Sequence, residues 1–224
     1  MLQDGPAATC LSPARMTASR PSTPHLLWPL VAAAGIAGFL SAAIALHLLR
    51  PELDAVHSQM SLYLVGAWGP LLQAAYAALG AAMLGLAIGL YRSLAREARS
   101  AAPLLLFALG GLSLTVTAYA WMDLPGVDAS MEGLVHGIGA QGAFLFAGAG
   151  IVLQALRLRR DPAWRDAARW LLPWALACFV AIWVLALWRE APRGLAQKAV
   201  IALIVGWLAA ATALLWRRLS AAKA

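Results

Sequence analysis

The chain of 224 residues is predicted to be all-α: a polytopic membrane protein, a bundle of six transmembrane helices with both termini in the cytoplasm. Three observations predict this. Six apolar stretches are each long enough to cross a bilayer; 62% of the residues are hydrophobic and the mean hydropathy is +0.74; and the basic residues fall mainly in every second connection. A helix rises about 1.5 Å per residue, so roughly 20 apolar residues cross a ~30 Å hydrocarbon layer. A soluble bundle of this size needs polar outer faces on its helices, and too little polar surface remains here to supply them.

The spans are predicted, in order, at about 26–49, 69–91, 101–121, 131–156, 168–188 and 194–216, none with a Lys or Arg at its centre. Trp28, Trp68, Trp121, Trp170, Trp188 and Trp216 lie at span ends, where an indole can keep its N–H in the headgroup layer. Orientation follows from the basic residues, which bias loops to stay in the cytoplasm. The tail with Arg15 and Arg20, the second connection (Arg92, Arg96, Arg99), the fourth (Arg157, Arg159, Arg160, Arg165, Arg169) and the C-terminal tail (Arg217, Arg218, Lys223) hold thirteen. The other side holds four: Arg50, Arg189, Arg193 and Lys198. Topology thus accounts for the net charge of +7, and no nucleic-acid partner is expected. The expected partner is the bilayer, whose anionic headgroups the cytoplasmic arginines attract.

Residues 1–25, rich in Pro, Ser, Thr and Ala, are expected to form a disordered cytoplasmic tail, or to precede a true initiator at Met16; residues 217–224 form the other cytoplasmic tail. The first span is too long for a signal-peptide core and ends at Arg50 without a small-residue cleavage site, so it is expected to be retained. Cys10 and Cys178 lie too far apart in any such fold for a disulfide or thiolate metal site. The excess of Arg over Lys, with abundant Ala and Leu, points to a GC-rich bacterial gene and hence to the inner membrane. Each outward connection carries an acidic residue and a proline soon after a span, which helix termination explains without an internal repeat.

Polar chemistry concentrates on the outward side. Glu52, Asp54, Asp123, Asp128, Glu132 and Glu190 fall there, with His47, His57 and His136. In the segment Arg50-Pro-Glu-Leu-Asp-Ala-Val-His-Ser-Gln-Met-Ser-Leu-Tyr63, Pro51 suits the first turn of a short interfacial helix, with Asp54, Ser58 and Ser61 on one stripe and Leu53, His57 and Met60 on another. The alternative is a solvated loop whose Asp and Ser cap the next helix. Span four opens Met131-Glu-Gly-Leu-Val-His136, and a carboxylate one turn from an imidazole can hold its tautomer for general-base or ligand work. Thr115, Tyr119 and Asp123 recur every four residues as a polar stripe towards the same mouth; Arg193, Gln197 and Lys198 begin span six there. Gly85 with Gly89, and Gly133 with Gly137, have the spacing that lets helices approach closely in lipid. No phosphate-cradling loop, nucleophile elbow, paired-cysteine site or HExxH pattern occurs. Neither a cofactor nor a metal is named by these residues.

The segment Leu49-Arg-Pro-Glu-Leu-Asp54 with His57, Ser61, Tyr63 and Gly66, then the Asp123 loop and Gly133-Leu-Val-His136-Gly137, resembles the bacterial multi-pass family catalogued as domain of unknown function 998. The resemblance extends over about 30–215, through the Arg159-Arg-Asp-Pro-Ala-Trp164 turn and the Gly194-Leu-Ala-Gln197 entry to span six. It implies six helices and no established activity. The chain departs from the pattern at Leu62, where an acidic residue is frequent, and in lacking a histidine shortly before His136.

Two function classes follow, with a third behind them. In the first, the outward mouth binds or hydrolyses a lipid or other amphiphile, with His136 as base, Glu132 orienting it, Asp123 and His57 completing the polar cluster, and Ser58 or Ser61 offering the hydroxyl. In the second, the protein is a non-catalytic membrane component or accessory subunit, and the cluster is a satisfied polar network. A small-solute or proton transporter is the third; it would be expected to show paired broken helices, which this chain lacks.

Overall fold

A computed structural model describes residues 26–124 and 126–221. The N-terminal tail with Cys10, Arg15, Met16 and Arg20, and also Pro125 and Lys223, lie outside the described residues. Six helices are long and apolar enough to cross a membrane: α1 Leu27–Leu49, α2 Gly69–Ser93, α3 Ala101–Tyr119, α4 Met131–Arg160, α5 Arg165–Leu187 and α6 Arg193–Ala221. Among the described residues there is no strand. In hydrocarbon each backbone N–H and C=O must find its partner within its own segment, which helices satisfy and open strands do not.

Each helix packs on the next in sequence, and α6 returns to α1, so the six close into a ring, with α6 also touching α2 and α4. Glycines make the close crossings: a Cβ on Gly35 of α1 would lie 2.3 Å from the Ala78 carbonyl oxygen of α2, and where Gly80 of α2 meets Gly111 of α3 a Cβ on either would lie 3.1 Å from the other's Cα. Gly85 and Gly89 do pack as their spacing predicts, the first against Val31 and the second against Trp28 and Leu215. Gly133 and Gly137 do not form such a pair. Gly137 has open space where its side chain would stand, while a Cβ on Gly133 would strike the Asp123 carboxylate.

The helices outrun the hydrocarbon stretches at the arginine-rich end, where α4 continues to Arg160 and α5 begins at Arg165. Helix ends are set by caps and loop contacts, which hydropathy does not report. Ser100 caps α3 through the Ala102 N–H, and Ser130 caps α4 by accepting the Gly133 N–H at 2.9 Å. At the arginine-rich end Asp161, buried, accepts the backbone N–H groups of Ala95 and Ala163, each at 2.8 Å, and so ties the α2–α3 and α4–α5 connections together. Arg218 lies over the buried Trp164 ring at 4.4 Å.

Of the six tryptophans expected at the interface, five are exposed. Trp28 is the exception: its indole N–H is buried without a partner, and its ring lies under Arg92 at 5.2 Å. Packing of α1 against α2 at that level turned it inward.

Candidate functional site

At the end of the bundle opposite the arginine-rich one, the α1–α2 and α3–α4 loops carry the predicted site residues, above a cavity; the short α5–α6 connection shares that end. The first loop joins α1 to α2. The interfacial helix expected from Pro51 onward is absent; turns occupy 51–57, and a short 3-10 helix follows at Met60–Leu64. The physical reason lies in competing hydrogen bonds. Asp54 takes the Val56 N–H at 2.9 Å and pairs with the His57 imidazole, closing a local turn. The backbone carbonyls that a helix would use are taken by α6: Val56 C=O accepts the Leu195 N–H at 2.8 Å, and Ala55 and Ser58 C=O accept the Lys198 ammonium at 2.7 and 3.0 Å.

The loop is thereby docked on the start of α6, and Gly194 is needed there: a Cβ would lie 2.5 Å from the Ser58 carbonyl oxygen. Gln197 completes the joint by accepting the N–H of Met60 at 2.8 Å. Arg50 donates to Glu52 and to the Val65 carbonyl, which closes the loop's far end. Tyr63 is fully buried beneath this joint, 4.9 Å from the His47 ring and 5.4 Å from the Lys198 ammonium, and its hydroxyl has no partner. Burial raises its phenol above the ordinary tyrosine value.

The second loop joins α3 to α4, and here the predicted polar residues do gather. Asp123 accepts the Ser130 hydroxyl at 2.6 Å and the Ser130 N–H at 3.0 Å. Those two bonds hold its carboxyl below the usual aspartate range, with a smaller push from the His136 charge. Glu132 does not orient His136; it accepts the Trp121 N–H at 3.0 Å. His136, buried, directs Nδ1 at the Ala120 carbonyl oxygen at 2.9 Å. Side chains at the start of α4 thus meet the backbone groups left free where α3 ends. Because α3 stops at Tyr119, the expected stripe breaks: Asp123 leaves the helix, and Tyr119 is exposed.

The two loops share no hydrogen bond or ion pair between their site residues. His57 is exposed and bonded to Asp54 within its own loop, while Asp123, Glu132 and His136 are bonded within theirs. Among the described residues, no group of three or more His, Cys, Asp or Glu side chains stands close enough to hold a metal ion.

Below the loops lies a cavity of about 70 Å³, lined by side chains from every helix except α5. Its walls are apolar, with Phe39, Met83, Phe144 and Ile204 among them, and its polar groups are Ser61, Tyr76, Thr117 and Gln197. Ser61 is therefore placed apart from Ser58: it is buried and lines the cavity, whereas Ser58 contributes its backbone carbonyl to Lys198. Thr117 bonds the Ser113 carbonyl at 2.8 Å. Tyr76 and Thr117 escaped sequence reasoning, although each is a polar residue inside an apolar span, the kind of position that lipid makes expensive unless it faces a partner or a cavity.

No curated protein matches this chain, and no solved structure does. The family described as Protein of unknown function (DUF998) matches over residues 31–214, a stretch that takes in the greater part of all six helices, the α1–α2 and α3–α4 loops and the cavity beneath them, and the chain belongs to that family of multi-pass membrane proteins.

Proposed function

We propose that the protein binds the apolar chain of a lipid or other amphiphile in the cavity beneath its α1–α2 and α3–α4 loops, in the inner membrane, with those loops turned away from the cytoplasm. The cavity carries the proposal. It is several times the ~10–15 Å³ that admits one water, and it is walled mainly by hydrocarbon. A few polar groups mark one part of it: Ser61 and Gln197 from the loop joint, with Tyr76 and Thr117 from α2 and α3. An apolar chain would replace bilayer contacts with close packing on α2, α4 and α6, and its polar group would be read by Ser61 and Gln197.

Binding is favoured over hydrolysis by the hydrogen bonds already made. A base must reach the hydroxyl it deprotonates, and His136 is turned to Ala120 while Ser61 lines the cavity. The α3–α4 cluster favours a second reading, a non-catalytic component whose polar residues serve to hold a hairpin together.

The test is photolabelling of the purified protein with a diazirine-bearing fatty acid, followed by peptide mapping. Labels are expected on the α4 and α6 segments that line the cavity, and Ala143→Phe, which fills it, is expected to abolish them while the protein stays folded. Labelling unchanged by Ala143→Phe, or confined to lipid-facing residues, overturns the proposal and leaves the second reading.

A further inference from the structure

At the opposite end of the bundle a groove of about 670 Å³ runs between the end of α4 and the first three turns of α5. Its lining changes character along its length. Arg159, Arg165 and Arg169 stand at the end nearest the α4–α5 turn, and Leu172, Pro173 and Leu176 line the part that descends along α5. The spacing makes this a single stripe: Arg165, Arg169, Leu172 or Pro173, and Leu176 follow one another at steps of three or four on one helix face. Arg159 completes the basic end from the neighbouring helix.

We propose that this groove is a binding site for one acidic phospholipid, its phosphodiester held by Arg159, Arg165 and Arg169 and an acyl chain lying along Leu172, Pro173 and Leu176. The site is independent of the outward cavity and of any activity there.

Charge complementarity and depth together select this occupant. Three arginines line a groove that has no acidic lining residue. The acidic side chains nearby do little to neutralise them. Asp161 is buried and spends both carboxylate oxygens on the Ala95 and Ala163 N–H groups. Asp166 approaches Arg169 at 3.5 Å, but both side chains are largely exposed, and a weak exposed pair is readily exchanged for a phosphate. Arginine suits the task because its planar fork meets phosphate oxygens two at a time. The N-terminal end of α5 points its dipole to the same place. A soluble polyanion would use the arginines and leave the leucine stripe unpartnered; a phospholipid at the membrane surface uses both, and basic pockets between spanning helices are suited to such headgroups.

The test is native mass spectrometry of the detergent-purified protein titrated with dioleoyl phosphatidylglycerol or dioleoyl phosphatidylcholine, which share their tails, and with glycerol 3-phosphate, which has none. The wild type is expected to retain phosphatidylglycerol in preference. The triple variant Arg159→Gln, Arg165→Gln, Arg169→Gln is expected to bind it about tenfold or more weakly, and Arg165→Gln alone to show part of that loss should the triple variant not fold. Arg217→Gln, also at the arginine-rich end, is expected to change nothing, and Asp166→Asn to tighten binding. Leu176→Asn is expected to weaken both lipids. Preference unaltered in the arginine variants, equal loss with Arg217→Gln, or full competition by glycerol 3-phosphate overturns the proposal.

Discussion

Gln197 at the start of α6 accepts the backbone N–H of Met60, which lies 137 positions earlier in the chain, at 2.8 Å. Met60 is buried, so no water replaces that acceptor, and the bond joins the α1–α2 loop to the helix that supplies much of the cavity wall. Gln197→Ala should therefore cost about 1–3 kcal/mol, the usual penalty for stranding a buried donor. Thermal unfolding in detergent measures it. A cost near zero means the loop holds through Lys198 and Leu195 alone.

Gly133 and Gly137 should respond in opposite ways to the same substitution. A methyl on Gly133 meets the Asp123 carboxylate, which must withdraw from Ser130, whereas Gly137 faces open space. Gly133→Ala is expected to lower the unfolding temperature measurably, and Gly137→Ala to leave it within about 1 °C. Equal effects would mean that the α3–α4 turn is not held by Asp123.

The same carboxylate makes the hairpin sensitive to acid. Its folded-state pKa lies below the unfolded value because Ser130 bonds the charged form. Its contribution is thus complete above the ordinary aspartate value of about 3.9 and is lost as pH falls through the lower folded value. Hydrogen exchange at the start of α4, corrected for intrinsic rates, should be flat from pH 7 to about 5 and rise below about 4. Asp123→Asn should remove that dependence; a rise near pH 6 would implicate a histidine instead.

Asp161 joins two connections at the arginine-rich end through the Ala95 and Ala163 N–H groups. Asp161→Ala should cost about 1–3 kcal/mol, and Asp161→Asn less, since the amide retains one acceptor. Chemical denaturation in mixed micelles reads both. Indistinguishable variants would show that packing of Trp164 holds this turn without the carboxylate.

The six helices were legible in the residues alone because solvation by hydrocarbon is a local property. Each stretch from α1 to α6 is apolar over enough length to be a span by itself, and each satisfies its own backbone without help from a neighbour. Membership of the family was legible for the same reason of locality, in short motifs such as the one running from Leu49 to Asp54. Partners of the polar side chains were not. Glu132 and His136 share a helix face, as their spacing predicts, yet each turned to a separate backbone group, Trp121 N–H and Ala120 C=O, released where α3 ends. Ser58 and Ser61 sit one helical turn apart in sequence, and the docking of α6 on their loop sent one to the surface joint and the other into the cavity. Backbone groups left free at helix ends and in loops are bonded by whichever side chain the packing of distant helices brings up, and no periodicity within a single span records that meeting.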